Sequence, residues 1–266
     1  MRRLLQLFCG VALLCLAGCG YLQGLEGDRM PGPRGQIFYK TCPATGRNYW
    51  VYLPEHYDKD RSYPLVVSLH GMKPYDVARY HVEMWNRFAD QHLFIILAPE
   101  LRSSDSLGQF PLRSFGAVEL ADVQHVLACM DEVVKDRNAD PKAIMLSSWN
   151  MGGYLAHYIA AAEGDRFAAF APLQSNFSGT VLDPAKARQW VSHMQIMVFY
   201  GTITLPVVTN ESKAAVGWWT QVGYNVTVKT ADVGNERHPE LAAEFFEKVL
   251  AANAAAKTPT SRPDSR

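Results

Sequence analysis

Between residues 143 and 154 the chain reads Ala-Ile-Met-Leu-Ser-Ser-Trp-Asn-Met-Gly-Gly-Tyr. An apolar run gives way to small residues, and a helix-forming stretch follows. Such a strand-to-helix corner lifts its apex side chain clear of a sheet, where a serine would attack a carbonyl carbon. Ser148 stands at the first small position, Gly152 at the last, and the apex is Asn150. An amide has no ionisable proton for a base to remove, so Asn150 cannot form the usual acyl intermediate. Ser147 and Ser148 offer hydroxyls nearby, but at a strand end they point into the fold or along the sheet. Deamidation of Asn150 would give a carboxylate nucleophile, and the bulky Met151 disfavours that route. Elsewhere His81, His125, His157 and His193 show neither an HExxH motif nor paired spacing, so no metal site is expected. No cofactor motif is found, and no cofactor is expected. Cys129 lies in Val126-Leu127-Ala128-Cys129-Met130, the pattern of a buried helix face, where a free cysteine acts as a small hydrophobe. A disulfide with Cys42 is the alternative in an oxidising compartment.

The elements that must hold this corner alternate in type. Two β-like runs, Gln36–Thr41 and Asn48–Leu53, are separated by Pro43 and Gly46, as in a hairpin. Near-continuous apolar runs at Pro64–Leu69, Phe94–Ala98 and Ala143–Ser147 predict strands covered on both faces. Later strands are predicted at Phe167–Pro172, Gln195–Tyr200 and Asn225–Thr230. Helical periodicity predicts helices over Asp76–His92, Ala117–Lys135, Met151–Glu163, Pro184–Ser192, Glu211–Val222 and Pro239–Ala252. The alternation implies an α/β fold with a mostly parallel, doubly wound sheet and helices on both faces. Trp218 and Trp219 read as core residues of one helix, with carbohydrate stacking the alternative. Phe110-Pro111-Leu112 sits in the long loop Leu101–Gly116, a place where such sheets shape their pockets.

The 266 residues carry 26 basic and 26 acidic side chains, so no electrostatic footprint for nucleic acid exists. With 48% hydrophobic residues the chain can bury a full core without a disulfide framework. The N-terminus reads as an address. Arg2 and Arg3 precede an apolar run from Leu4 to Leu16, too short to span a bilayer. Leu16-Ala17-Gly18-Cys19 resembles a bacterial lipobox, which implies lipidation of Cys19. Gly20 after the cysteine resembles the outer-membrane sorting pattern. The expected organisation is therefore a signal over 1–18, a tether over 19–35, one domain over 36–253 and a disordered tail over 254–266. The expected place is the bacterial cell envelope, anchored by lipid and facing the periplasm or the exterior.

The domain resembles the α/β-hydrolase fold, and within it the feruloyl-esterase, acetylxylan-esterase and polyhydroxyalkanoate-depolymerase group. The resemblance covers roughly residues 36 to 250. It rests on Tyr52-Leu53-Pro54, on Tyr63-Pro64-Leu65-Val66-Val67-Ser68-Leu69-His70-Gly71, on Asp122, on Asp140-Pro141-Lys142 and on Met151-Gly152-Gly153-Tyr154. It implies a catalytic nucleophile at the position of Asn150. It implies an acid at the position of Thr204, in Gly201-Thr202-Ile203-Thr204, and a base at His238, in Asn235-Glu236-Arg237-His238-Pro239. Threonine accepts a hydrogen bond from imidazole but cannot stabilise imidazolium by charge. Oxyanion donors are implied at the backbone of Met151 and in the loop at Gly71 and Met72. Asp232 is a second candidate for the acid. One triad role of three is retained in type. The expected function is binding or scaffolding at the envelope, with a small ester, acyl or carbohydrate ligand. The alternative is an ester hydrolase with an unconventional nucleophile.

Overall fold

The computed structural model describes residues 34–105 and 114–257. The signal segment, Cys19, the Phe110-Pro111-Leu112 loop tip and residues 258–266 lie outside the described residues. Strands β1 (Gln36–Cys42) and β2 (Arg47–Leu53) form the opening antiparallel hairpin. Its turn closes as the Gly46 and Thr45 amides donate to the Cys42 carbonyl at 2.8 and 3.3 Å. Gly46 sits at φ +64, a left-handed turn position that glycine adopts without a Cβ penalty. The chain then alternates: β3 (Tyr63–Leu69), α1 (Ala78–His92), β4 (Ile95–Pro99), α2 (Ala117–Asp136), β5 (Ala139–Asn150) and α3 (Gly152–Ala162). The second half continues with β6 (Ala169–Ser175), α4 (Pro184–Arg188), β7 (Gln195–Gly201), α5 (Pro206–Val222), β8 (Val226–Ala231) and α6 (Pro239–Lys257).

The eight strands form one sheet in the order β1-β2-β4-β3-β5-β6-β7-β8. β2 pairs antiparallel with both β1 and β4, and every other pair is parallel. β4 and β6 are buried at every position, so the apolar run of β4 and the Ala169–Leu173 run of β6 reflect cover on both faces. On one face α1 packs against α6, where Phe94 and Phe246 meet at 5.3 Å between ring centroids. On the other face α2, α3, α4 and α5 pack in succession. The order reverses between β3 and β5. Ligands of such sheets bind at the carboxyl ends of the strands beside that switch point.

Three helix bounds differ from the sequence reading. α6 runs on to Lys257, through residues read as tail, because Ala-Ala-Asn-Ala-Ala-Ala is strongly helix-forming. α5 starts at Pro206, since proline is pre-set for the first helical position. α4 ends at Arg188 after a single turn capped by Asp183. No helix among the described residues is long and apolar enough to cross a membrane.

Candidate active site

β5 delivers Asn150 to the switch point. Its backbone lies at φ +50, in the left-handed region that asparagine tolerates better than most residues. The helix that follows can start here only because glycines do. A Cβ on Gly152 would stand 2.5 Å from the His70 carbonyl oxygen, and one on Gly153 would stand 2.3 Å from that of Asn176. The two glycines let the first turn of α3 nest between the ends of β3 and β6.

The Asn150 side chain turns back on its own corner. Its Oδ1 accepts the Met151 backbone N–H at 2.8 Å. That amide is the first of the two donors an oxyanion would use. Because an N–H can only donate, Oδ1 is fixed as the acceptor and Nδ2 is left as the donor. On the neighbouring loop the Gly71 N–H donates to Asp76 Oδ2 at 2.6 Å. Gly71, expected as an oxyanion donor, is thus committed to a buried carboxylate, which leaves Met72 as the loop's remaining candidate.

Asp76 organises this loop. Its Oδ2 also accepts from His81 Nε2 at 2.9 Å, and its Oδ1 accepts from the Val77 N–H at 3.1 Å and from Arg237 at 2.9 Å. Burial alone would raise its carboxyl, but His81 and Arg237 outweigh that and hold it well below the usual carboxylate range. His81 Nδ1 lies 2.6 Å from Ser68 Oγ. A Ser–His–Asp chain therefore exists in this molecule, but all three side chains are buried and Ser68 also receives the Trp85 indole N–H. Its role is to tie α1 to β3. His70 likewise serves structure: Nδ1 faces the Gly71 carbonyl at 2.8 Å, and Nε2 accepts the Leu101 N–H at 2.9 Å. Burial depresses it to about 4.

His238 sits at φ +48 in the loop before α6. Gln174 of β6, itself at φ +46, donates through Nε2 to the carbonyls of Gly234 and Glu236 and so pins that loop. Three of the six described non-glycine residues at positive φ are thus Asn150, Gln174 and His238. Strained backbone of this kind gathers where structure holds a site. The loop meets the elbow through Arg237, whose guanidinium stacks over Trp149 at 4.1 Å while it pairs with Asp76. His238 packs on Phe199 at 5.1 Å between ring centroids.

The partner of His238 is a residue that the sequence reading passed over. Nδ1 lies 2.7 Å from Glu240 Oε1, on the first turn of α6. Nε2 lies 3.2 Å from Glu236 Oε2 without hydrogen-bond alignment. Thr204 Oγ1 is buried and has no hydrogen-bond partner among the described residues. Asp232 accepts from Thr202 Oγ1 at 2.5 Å on an exposed strand end. The pattern His-x-Glu across a proline at the helix start was the available signal for Glu240. Ser147 Oγ donates to the Ala171 carbonyl, and Ser148 Oγ bonds Ser175 Oγ; both serines are buried. His157 and Trp219 share a buried hydrogen bond of 3.0 Å in the core. Asp122, quoted for the resemblance, accepts the Arg102 and Ser103 amides and pairs with Arg47, so it shapes the loop after β4.

No protein-family model matches the chain. Among curated proteins it is similar to a bifunctional acetylxylan esterase/xylanase of Neocallimastix patriciarum, 29% identical over 137 residues. The match spans 50% of this chain and 19% of that protein. It is also similar to a dipeptidyl-peptidase 5 of Porphyromonas gingivalis, 26% identical over 49% of this chain and 19% of that protein. The chain thus aligns with only about a fifth of the length of these curated relatives. Among solved structures it superposes on the fluorophosphonate-binding serine hydrolase F of Staphylococcus aureus with a TM-score of 0.62 at 14% identity. That overlap covers 83% of this chain and 99% of the other. A ferulic acid esterase from Anaeromyces mucronatus gives a TM-score of 0.59 at 14% identity, over 84% and 91% of the two chains. These likenesses and the sheet order give the chain the α/β-hydrolase fold, with esterases and serine hydrolases as its structural neighbours.

Proposed function

We propose that this chain is a lipid-anchored protein of the bacterial envelope that binds a small oxygen-rich ligand at the elbow and does not turn it over as a serine esterase does. The observation that carries this reading is the 2.8 Å bond from the Met151 N–H to Asn150 Oδ1. The apex lacks a nucleophile, and its amide occupies the donor that would stabilise a tetrahedral oxyanion. The same bond leaves Asn150 Nδ2 as the donor of that side chain. An ester, acyl or carbohydrate oxygen is the acceptor that fits it. The fold alone does not supply activity, because function resides in the site.

One observation favours a second reading. Glu240 holds His238 Nδ1, and Nε2 has no aligned hydrogen-bond partner among the described residues, with Glu236 Oε2 3.2 Å away. An imidazole oriented in that way can serve as a general base toward water. The chain would then be a carboxylic-ester hydrolase without a covalent intermediate. Hydrolysis of an activated ester separates the two. The binding reading expects no burst and a background rate unchanged in His238→Gln. Steady-state hydrolysis abolished by His238→Gln supports the second. The anchor has its own test: Cys19→Ser releases the protein from the membrane fraction or blocks its processing, and unchanged fractionation removes the lipoprotein reading.

A further inference from the structure

Away from the elbow, two elements bring three metal-ligating side chains together. Cys42, His125 and Cys129 are all buried, and each offers a donor atom within 4.8 Å of the others. His125 and Cys129 lie four residues apart on α2, so they share one helix face. Cys42 ends β1, and the hairpin turn lays it over that face. We infer that Cys42, His125 and Cys129 form a structural zinc site that fastens the edge hairpin β1–β2 to α2.

The distances fit the ion. Cys129 Sγ lies 3.4 Å from His125 Nδ1. Zinc bonds of about 2.3 Å to sulfur and about 2.0–2.1 Å to nitrogen, at a tetrahedral angle, place those two donors roughly 3.5 Å apart. The tautomer fits as well. His125 Nε2 lies 3.0 Å from the Asn48 carbonyl oxygen, which can only accept, so Nε2 carries the proton. Nδ1 therefore presents its lone pair to the cluster, and the Nε2–H···O=C bond fixes the ring as metal-bound imidazoles are usually fixed. In the metal-free chain Thr45 Oγ1–H donates to that lone pair at 2.8 Å, a bond that an incoming ion displaces, and the Thr45 oxygen or a water would complete the tetrahedron.

Charge decides among the thiophilic ions. Zinc(II) entering the cluster displaces one proton from each thiol and forms two Zn–S bonds and one Zn–N bond, and its charge of +2 is cancelled by the two thiolates. A copper(I) ion on the same two thiolates would leave a buried negative charge. Glu132, one turn beyond Cys129, is compensated by Lys40 at 3.1 Å and by the Tyr49 hydroxyl at 2.6 Å. The nearby cations are both committed, Arg47 to Asp122 and Lys40 to Glu132.

The test uses the full chain, reduced, stripped with a chelator and titrated with cobalt(II) alone. The site predicts thiolate-to-cobalt charge-transfer bands and the intense visible bands of a tetrahedral ion, saturating at a single equivalent and bleached by zinc. Cys42→Ser, Cys129→Ser and His125→Ala each lose or weaken them, and zinc raises the melting temperature of the wild type. Should a variant fail to fold, the wild-type titration still decides. Cobalt spectra no different from the free aqueous ion would overturn the site. So would a Cys42–Cys129 disulfide found by mass spectrometry in protein isolated from the envelope without reductant.

Discussion

Two regions meet at the carboxyl edge of the sheet, and they differ in how completely they are bonded. The frame is densely bonded, with Arg237 Nε and Trp149 Nε1 its exceptions among the described residues. Asp76 satisfies Gly71, Val77, His81 and Arg237 together, His70 uses both ring nitrogens, and Gln174 uses both ends of its amide. The positions where a hydrolase would do chemistry are more sparsely bonded. Among the described residues Thr204 Oγ1 and His238 Nε2 are buried without hydrogen-bond partners, and Asn150 Oδ1 accepts the amide of the next residue. Buried polar atoms are normally paired, so these exceptions call for an account. The contrast teaches that the geometry of the corner is built by residues other than those that would react there. Chemistry can be lost from such a site while its shape stays.

The contrast predicts that frame substitutions cost far more stability than substitutions at the reacting positions. Asp76→Ala is expected to have the largest effect. It strands His81 and Arg237 beside an emptied buried site, and breaking such a pair costs about 3–5 kcal/mol. Urea denaturation measures this, and a loss below about 1 kcal/mol would break the comparison. Gly153→Val comes next, at about 1–3 kcal/mol or more, because its Cβ meets the backbone of Asn176.

Acid titration gives an intermediate effect. His70 and His157 are buried, and burial depresses them to about 4 and about 3. A depressed histidine stays neutral in the fold while the unfolded chain binds a proton below its ordinary value near 6.5. Stability is therefore full above pH ~6.5 and falls as pH drops toward 4, by on the order of 1 kcal/mol per pH unit for each histidine. Asp76 acts in the same direction lower down, since its depressed carboxyl contributes above the ordinary carboxylate range and is lost below it. His70→Gln should flatten the slope by about one histidine's share. An unchanged slope would remove His70 from the frame. The smallest effect belongs to Asn150→Ser, expected to cost about 1 kcal/mol or less, set by the left-handed backbone that asparagine accepts more readily.

Much of this corner was legible in the sequence, because it depends on local pattern. The apolar run into Ser147, the small residues and Gly152-Gly153 specify a strand, a tight turn and a helix within a dozen positions. Glu240 was not legible, because the resemblance places the acid at Thr204 and the spacing to His238 favours Asp232 as its substitute. Asp76 and Arg237 lie 161 positions apart, and nothing in their local sequence reveals that they pair. The same limit hid the Cys42 cluster. His125 and Cys129 carry a helical spacing, but their third partner comes from another element through a hairpin turn. Helix ends were missed for a different reason: Ala254 looked compositionally like tail, whereas alanine is the best helix former available.

The claim that the reacting positions no longer perform serine-type chemistry is tested most directly by fluorophosphonate labelling, read by intact-protein mass. Wild-type protein is predicted to take no label. Asn150→Ser frees the Met151 amide and restores a hydroxyl at the apex, and it is predicted to take label slowly, with Asn150→Ser combined with Thr204→Asp faster. Stoichiometric labelling of the wild type, lost on mutating Ser147 or Ser148, would contradict the account.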